Sequence, residues 1–272
     1  MKKLLILLAA LGGILLFSGC ESKVWKTVDG VIVFATPARE PGQKSVLGLK
    51  TAPMETVRVG FIGLGMRGPG AVERFTHLDG VEIKALCDLY PERVDSAQAI
   101  LVRRGFPEAA PYSGEEGWKQ LCERDDIDLV YIVAPWQLHV PMAVYAMEHG
   151  KHVFCEKPLG TNVAQCKEAE KVVEAHPELV FQLGFMRRFD PSYAEAKRRV
   201  DAGEIGKVVL VRSCTQDPRS TIESTLKFLP HSGGQFLDMC VHDLDLIRWF
   251  TGSNIRNVWA IGGVFEFDLC RE

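Results

Sequence analysis

The segment from residue 57 to residue 88 constrains the fold more than any other part of this chain. An apolar run over residues 57–62 is typical of a buried strand, and it leads directly into the sequence GLGMRG at positions 63–68. A helix-compatible segment extends to about His77, and a second strand-like run follows and ends at Asp88. Strand, glycine-rich turn, helix and strand in this order predict the first unit of a doubly wound parallel sheet.

The glycine spacing in this segment suits a dinucleotide. Gly63 permits a tight turn, Gly65 lets the backbone approach a pyrophosphate, and Gly68 lets the helix pack against the strand. The helix N-terminus would offer N–H groups and a partial positive charge to the phosphates. The same residues would also serve as a turn in another kind of α/β protein. We predict cofactor contacts from Gly63, Leu64, Gly65, Met66, Arg67 and Gly68.

Asp88 stands at the end of the second predicted strand. A carboxylate there can accept hydrogen bonds from the adenosine ribose, and its charge would repel a 2′-phosphate. We therefore predict NAD as the cofactor in preference to NADP. Arg93 lies close enough in sequence to weaken that preference.

Composition narrows the class of protein. The chain has 272 residues, which predicts two domains, and its 47% hydrophobic and 25% charged residues are typical of a globular protein. The net charge of -3, without a long run of Lys or Arg, indicates no nucleic-acid partner.

The N-terminal 20 residues are predicted to be a targeting signal. Two lysines precede an apolar run over residues 4–17, which is too short for a comfortable membrane span. The closing sequence FSGC resembles the cleavage box of bacterial lipoprotein signals, and this resemblance implies that Cys20 is lipidated. We expect an exported protein that is anchored to the bacterial membrane only through this lipid. An ordinary signal peptide or a short anchor helix is the alternative, and the protein would be cytoplasmic if the segment is not a signal.

The other cysteines form no CxxC pair, and several lie in apolar runs. They are therefore predicted to be buried free thiols rather than a disulfide framework or a metal site. These residues are Cys87, Cys122, Cys155, Cys166, Cys214, Cys240 and Cys270.

Turn-forming residues dominate the segment 21–53, which we interpret as an arm or linker. Strands and helices alternate beyond it. Helices are predicted at 91–104, 114–124, 138–148, 162–175, 191–202 and 235–250, and strands at 128–134, 151–155, 180–185, 207–213 and 255–264.

Three predicted strands end in polar or unusual residues. In a parallel sheet all the carboxyl ends lie at one edge, so these residues should meet in one crevice. We predict that the cofactor is also contacted there by Asp88, Pro135, Trp136, His139, Glu156 and Lys157.

Three motifs resemble the Gfo/Idh/MocA family of NAD(P)-dependent oxidoreductases. They are the GxGxxG turn, the tripeptide Glu156-Lys157-Pro158, and the sequence GGQFLDMCVH at 233–242. The resemblance covers roughly residues 56–264. Within the family, residues 69–149 look like the NAD-containing family 109 glycosidases, whereas residues from 156 onward are similar to myo-inositol 2-dehydrogenase. The usual TPNxxH turn of the dehydrogenases is altered to APWQLH.

Asp238, His242 and Asp245 are spaced to project from one face of a predicted helix. Oxidation of a secondary alcohol needs a base, and we assign this role to His242, with Asp238 orienting its imidazole. Lys157 would stabilise the developing alkoxide. The resemblance to the inositol enzymes further implies that Arg187 and Asp245 contact substrate hydroxyls.

The sequence thus predicts an α/β protein with four segments: a signal peptide (1–20), an arm (21–53), an NAD-binding Rossmann domain with a doubly wound parallel sheet (54–186) and a truncated α+β substrate domain (187–272). We expect an NAD-dependent dehydrogenase of a cyclic polyol or sugar that forms a homo-oligomer. An NAD-containing glycosidase is the alternative. A non-catalytic cofactor- or sugar-binding protein is a third interpretation, which the early C-terminal stop favours, since family members normally continue with further strands.

Overall fold

The computed structural model describes residues 50–218, 220 and 234–263, together with the backbone of two short strands, 25–28 and 31–34. The chain divides into two compact units, Met1–Pro41 with Gly252–Glu272, and Gly42–Thr251. In the first unit β1 (Trp25–Val28) and β2 (Val31–Phe34) form an antiparallel hairpin within the predicted arm. The predicted signal peptide and Cys20 lie outside the described residues.

The second unit contains a parallel sheet of six strands in the order β5-β4-β3-β6-β7-β8. This order reverses at β3, which pairs with β4 on one side and β6 on the other, and ligands of such sheets bind beyond the carboxyl ends at this point. The predicted α/β doubly wound fold is confirmed. The strands are β3 (Val57–Ile62), β4 (Val81–Asp88), β5 (Ala110–Ser113), β6 (Leu129–Ile132), β7 (His152–Cys155) and β8 (Phe181–Leu183).

Helices connect the strands and cover both faces of the sheet. Two 3-10 turns, Trp136–Leu138 and Met186–Phe189, follow β6 and β8. The described helices are α1 (Gly68–Phe75), α2 (Pro91–Arg103), α3 (Gly117–Cys122), α4 (His139–Glu148), α5 (Val163–Ala175), α6 (Pro191–Asp201), α7 (Gly234–Asp238) and α8 (Cys240–Thr251). None of the described helices is long and apolar enough to cross a membrane.

The core lies on both sides of the sheet because alternate strand residues point to opposite faces. On one face, residues of β3 and β4 pack against α1 and α2; on the other, residues of β6 and β7 pack against α3, α4 and α5. On the first face, Phe61 and Tyr131 stack with ring centroids 5.3 Å apart, and Tyr131 stacks on Phe154 at 4.6 Å. Helix α1 closes this row, since Phe75 meets Phe61 edge-on at 5.1 Å.

The cysteines in the core are free thiols, as predicted for Cys87, Cys122 and Cys155. Burial raises the pKa of the Cys87 and Cys122 thiols to about 12, so both stay protonated and unreactive at neutral pH. The prediction of burial is wrong for Cys214, which is exposed, and Cys166 and Cys240 are only partly buried. Cys270 lies outside the described residues.

Two predicted strands are absent from the described residues. Residues 207–213 and 255–263 form neither strands nor helices, and residue 264 lies outside the described part. A strand needs a neighbour to satisfy its backbone hydrogen bonds, and no described strand pairs with either segment. Val209 and Leu210 are accordingly 88% and 83% exposed. The prediction of strands in these two segments is therefore wrong for the described residues, because no described strand pairs with them.

Replacing Phe61 with Ala should strongly destabilise the sheet. Phe61 is fully buried between Phe75 and Tyr131, so its truncation leaves a cavity, and the free energy of unfolding should fall by about 3–5 kcal/mol in urea titrations. Phe189→Ala is the matched control, because that ring is 67% exposed and its loss should cost less than about 0.5 kcal/mol. Equal effects of the two substitutions would contradict the described core.

Candidate active site

The glycine-rich turn after β3 is packed so closely that two of its glycines cannot carry a side chain. Gly63 has φ +96°, and a Cβ there would lie 2.6 Å from the carbonyl of Val133. A Cβ on Gly68 would lie 2.3 Å from the carbonyl oxygen of Gly63. A Cβ on Gly65 would meet nothing nearer than Arg93, at 3.5 Å. The turn thus has the bare outer backbone at Gly65 that a pyrophosphate requires, and these residues fit a dinucleotide.

Asp88 joins the end of β4 to this turn. Its Oδ2 accepts a hydrogen bond from the Leu64 N–H at 2.6 Å, and its Oδ1 accepts from the Tyr90 N–H at 3.1 Å and from Arg93 at 3.3 Å. The carboxylate is only 6% exposed. Besides the predicted ribose contact, Asp88 therefore has a structural role that the sequence did not reveal, because it fixes the turn that would hold the phosphates.

Glu156 lies at the end of β7 and is 7% exposed. Its Oε1 accepts hydrogen bonds from the Tyr131 hydroxyl at 3.0 Å and from Arg67 at 3.4 Å. Burial and the neighbouring carboxylate raise the pKa of Tyr131 above its usual range, so the phenol remains a donor. Arg67 of the turn is thus tied to the EKP segment. Sequence reasoning missed Tyr131, whose only signal was a hydroxyl inside the apolar run of β6.

His139 is buried rather than open to the crevice. It is 1% exposed, its Nδ1 lies 2.7 Å from the Pro158 carbonyl oxygen, and its Nε2 lies 2.8 Å from the Ala134 carbonyl oxygen. Burial lowers the pKa of the imidazole. The predicted cofactor contact is corrected, because both ring nitrogens are engaged with main-chain carbonyls. The residue instead ties the turn after β6 to the EKP segment.

Lys157 is held firmly where β7 ends. Its Nζ donates to the Asp238 carbonyl oxygen at 2.7 Å and to Asp238 Oδ1 at 2.8 Å, and the two side chains are 14% and 23% exposed. The ammonium group also lies 5.8 Å from the centroid of the Trp136 ring, which follows the exposed Pro135. The peptide bond between Lys157 and Pro158 is cis. The structure therefore places Lys157 beside Trp136, as the crevice prediction expected, and also beside Asp238, which that prediction did not include.

The predicted continuous helix 235–250 is interrupted at Met239, between α7 and α8. Asp238 consequently lies on a different helix from His242 and Asp245, which are three residues apart in α8. Asp238 pairs with Lys157, and among the described residues the buried Nδ1 of His242 has no hydrogen-bond partner. The prediction that Asp238 orients the imidazole is thus wrong for this structure, since a tertiary partner competes for the carboxylate.

His242 is nevertheless close to the charged groups of the site. It is 9% exposed and lies edge-on to Phe185, with the ring centroids 6.4 Å apart. Burial lowers the pKa of its imidazole, and the positive charges of Lys157 and Arg187 lower it further, against an opposing effect of Asp243. The imidazole is therefore neutral at pH 7, which is the form that can accept a proton.

The two residues proposed from resemblance to contact substrate are both engaged within the protein. Arg187 donates to Asp243 at 3.0 Å and to the Thr215 hydroxyl at 2.8 Å, and Asp245 accepts two hydrogen bonds from Arg188 at 2.9 and 2.7 Å. In this structure Asp245 therefore anchors α8 to the segment after β8 rather than facing a ligand.

Asp243 was not predicted as a site residue. It accepts hydrogen bonds from Ser213 and Thr215 as well as Arg187. Burial alone would raise the pKa of this carboxyl, but these hydrogen bonds outweigh burial and hold the pKa below its usual value. Its signal in the sequence was only its position beside His242. Within the described residues no cluster of His, Cys, Asp and Glu could hold a metal ion.

Two family models match the chain. The Gfo/Idh/MocA oxidoreductase model, described as an NAD-binding Rossmann fold, matches residues 57–185, and the Gfo/Idh/MocA C-terminal domain model matches residues 193–268. The first range holds the glycine-rich turn and Lys157, and the second holds Asp238 and His242.

Among curated proteins, glycosyl hydrolase family 109 protein 4 of Phocaeicola vulgatus is 50% identical over 177 residues, which are 61% of this chain and 34% of the relative. The chain thus spans about a third of the length of that relative.

Among solved structures, the chain is similar to apo scyllo-inositol dehydrogenase from Lactobacillus casei, with a TM-score of 0.71 and 39% identity over 80% of this chain and 61% of that one. The same enzyme with bound NAD(H) and scyllo-inositol gives a TM-score of 0.65 and 38% identity, and covers 72% of this chain and 56% of that one. The chain therefore belongs to the Gfo/Idh/MocA oxidoreductase family and carries its NAD-binding domain.

Proposed function

We propose that this protein is an NAD-dependent dehydrogenase that moves a hydride from a secondary alcohol carbon of a cyclic polyol or sugar to the nicotinamide. The observation that carries the proposal is the position of Lys157. Lys157 follows β7 at the carboxyl edge of the sheet. Its ammonium group donates a hydrogen bond to Asp238 and is near enough to lower the pKa of His242. Similarity to a scyllo-inositol dehydrogenase supports an inositol-like substrate class.

The residues divide the chemistry of alcohol oxidation between them. NAD, when bound, supplies the hydride acceptor. His242 is neutral at pH 7 and accepts the hydroxyl proton, for which we assign Nε2, because Nδ1 is buried. Lys157 donates a hydrogen bond to the same oxygen and stabilises the negative charge that develops on it. Asp238 is a positioning residue that holds the ammonium group of Lys157.

A glycosidase is the second candidate function. The 50% identity to a family 109 glycosyl hydrolase favours it. Such an enzyme would retain NAD, oxidise a sugar hydroxyl to a carbonyl, eliminate the glycosidic substituent, add water to the resulting double bond and reduce the carbonyl again. This cycle needs no external recycling of NADH, which suits an exported protein. It requires an additional acid and base for elimination.

We further propose that the protein is exported and anchored through a lipid on Cys20. The supporting features are the lysines before the apolar run, the length of that run and the FSGC sequence.

Cys20→Ser tests this anchor. The variant should remain unprocessed or leave the membrane fraction, because serine cannot carry the thioether-linked lipid, and fractionation with mass spectrometry of the N-terminus measures both outcomes. Cys214→Ser, which changes an exposed thiol elsewhere, should behave like wild type. Normal processing and location of Cys20→Ser would refute the anchor.

Lys157→Met and His242→Ala test the reaction itself. Each should lower NADH production from NAD and myo- or scyllo-inositol by about 10²- to 10⁴-fold, since each removes a group that acts on the reacting oxygen. The Kd of NAD should change less than about threefold. His149→Ala, at an exposed site before β7, should keep full activity. The same proteins should be assayed with an aryl N-acetylgalactosaminide.

Two results of that comparison would contradict the dehydrogenase proposal. One is undiminished NADH production by both variants. The other is cleavage of the aryl glycoside by a wild-type protein that retains NAD and releases no NADH, which would establish the glycosidase instead.

The dependence of kcat/KM on pH should reflect the protonation of His242. Its pKa lies below the usual value of about 6.5, so kcat/KM should rise with pH through a pKa below 6.5 and level off at neutral pH. Lys157→Met removes a positive charge that lowers this pKa, so the imidazole should titrate at higher pH in an NMR titration. His152 is the internal control, because burial and Asp128, not Lys157, shift its pKa. A shift of His242 to lower pH in the variant would contradict the electrostatic account.

A further inference from the structure

The guanidinium group of Arg93 lies beside the glycine-rich turn. Its Nη1 bonds Asp88 at 3.3 Å, its carbon lies 4.7 Å from the centroid of the Tyr90 ring, and it is the group nearest to a Cβ built on Gly65. The side chain is 47% exposed. The strand-end acid of such a turn is where the adenosine ribose of a dinucleotide binds. Arg93 is therefore a cation within reach of the ribose 2′ position.

The carboxylate of Asp88 already has most of its hydrogen-bond positions filled by groups of the protein itself. The carboxylate accepts hydrogen bonds from two backbone N–H groups and from Arg93. A carboxylate offers about four lone-pair positions, so one remains for a ribose hydroxyl. Because Arg93 compensates the negative charge at short range, the repulsion that Asp88 would exert on a 2′-phosphate is weakened.

Arg93 is not locked to Asp88. The distance of 3.3 Å exceeds the 2.7–2.9 Å of strong charge-assisted hydrogen bonds, and a guanidinium carries five N–H donors. The guanidinium lies over the Tyr90 ring and its side chain is 47% exposed, so N–H groups remain for another anion. A phosphate is the anion that this planar donor pattern matches.

We propose that Arg93 pairs with the 2′-phosphate of NADP, so that this NAD-binding domain binds NADP as well as NAD. NAD binding does not need Arg93, because the ribose hydroxyl of NAD bonds to Asp88. The proposal concerns cofactor binding alone and holds or fails independently of the reaction proposed above.

The test is to measure the Kd of NAD and NADP by calorimetry on the full chain. Wild type should bind both. Arg93→Met should raise the Kd of NADP at least tenfold and that of NAD less than about threefold, with thermal unfolding as a check on the fold. Arg103→Met is the matched control at the other end of α2; it is 63% exposed and should change neither Kd.

Salt dependence of wild type gives a second readout that needs no variant. An added ion pair with the 2′-phosphate makes the Kd of NADP rise with ionic strength more steeply than that of NAD. The proposal is overturned if wild type binds NADP more than about 100-fold more weakly than NAD, if Arg93→Met weakens both cofactors by the same factor, or if the two salt dependences are equal.

Discussion

The hydrogen bonds from Lys157 to Asp238 connect the two halves of the proposed reaction centre. Lys157 follows a strand of the NAD-binding domain, whereas Asp238 ends a helix in the segment that matches the C-terminal domain of the family. A largely buried ammonium group loses hydration and needs a charged partner, and removing one partner of such a pair typically costs about 3–5 kcal/mol. The pair therefore fixes the amine at one point. Burial lowers the pKa of His242, and the positive charge of Lys157 lowers it further.

The sheet and its first turn supply the part of the site that would hold the cofactor. The strands are parallel, so the turn at 63–68, Asp88, Glu156 and Lys157 all lie at the carboxyl ends of the strands, on one edge of the sheet. Hydrogen bonds then tie these strand ends to the turn, from the Leu64 N–H to Asp88 and from the Arg67 guanidinium to Glu156. Residues first assigned to the cofactor thus also preorganise one another, which reduces the entropy lost when a cofactor binds.

Local sequence patterns predicted the features that local physics decides. The apolar run 57–62 forms a strand with those bounds, and Gly63 and Gly68 stand where backbone crowding leaves no room for a Cβ. Interactions between distant segments could not be read in this way. Asp238 binds Lys157 instead of His242, Asp245 binds Arg188, and the apolar residues 207–213 form no strand because no described strand pairs with them. Each of these three outcomes depends on whether a partner is present far away in the sequence.

Transfer of deuterium is the most direct test of the central claim that Lys157 and His242 serve hydride transfer from an alcohol carbon to NAD. The protein would be incubated with NAD and with scyllo- or myo-inositol deuterated on its ring carbons, and the nicotinamide product would be analysed by mass spectrometry. The account predicts released NADH that carries one deuterium at the nicotinamide ring. Release of no NADH, or of NADH without deuterium, would contradict it.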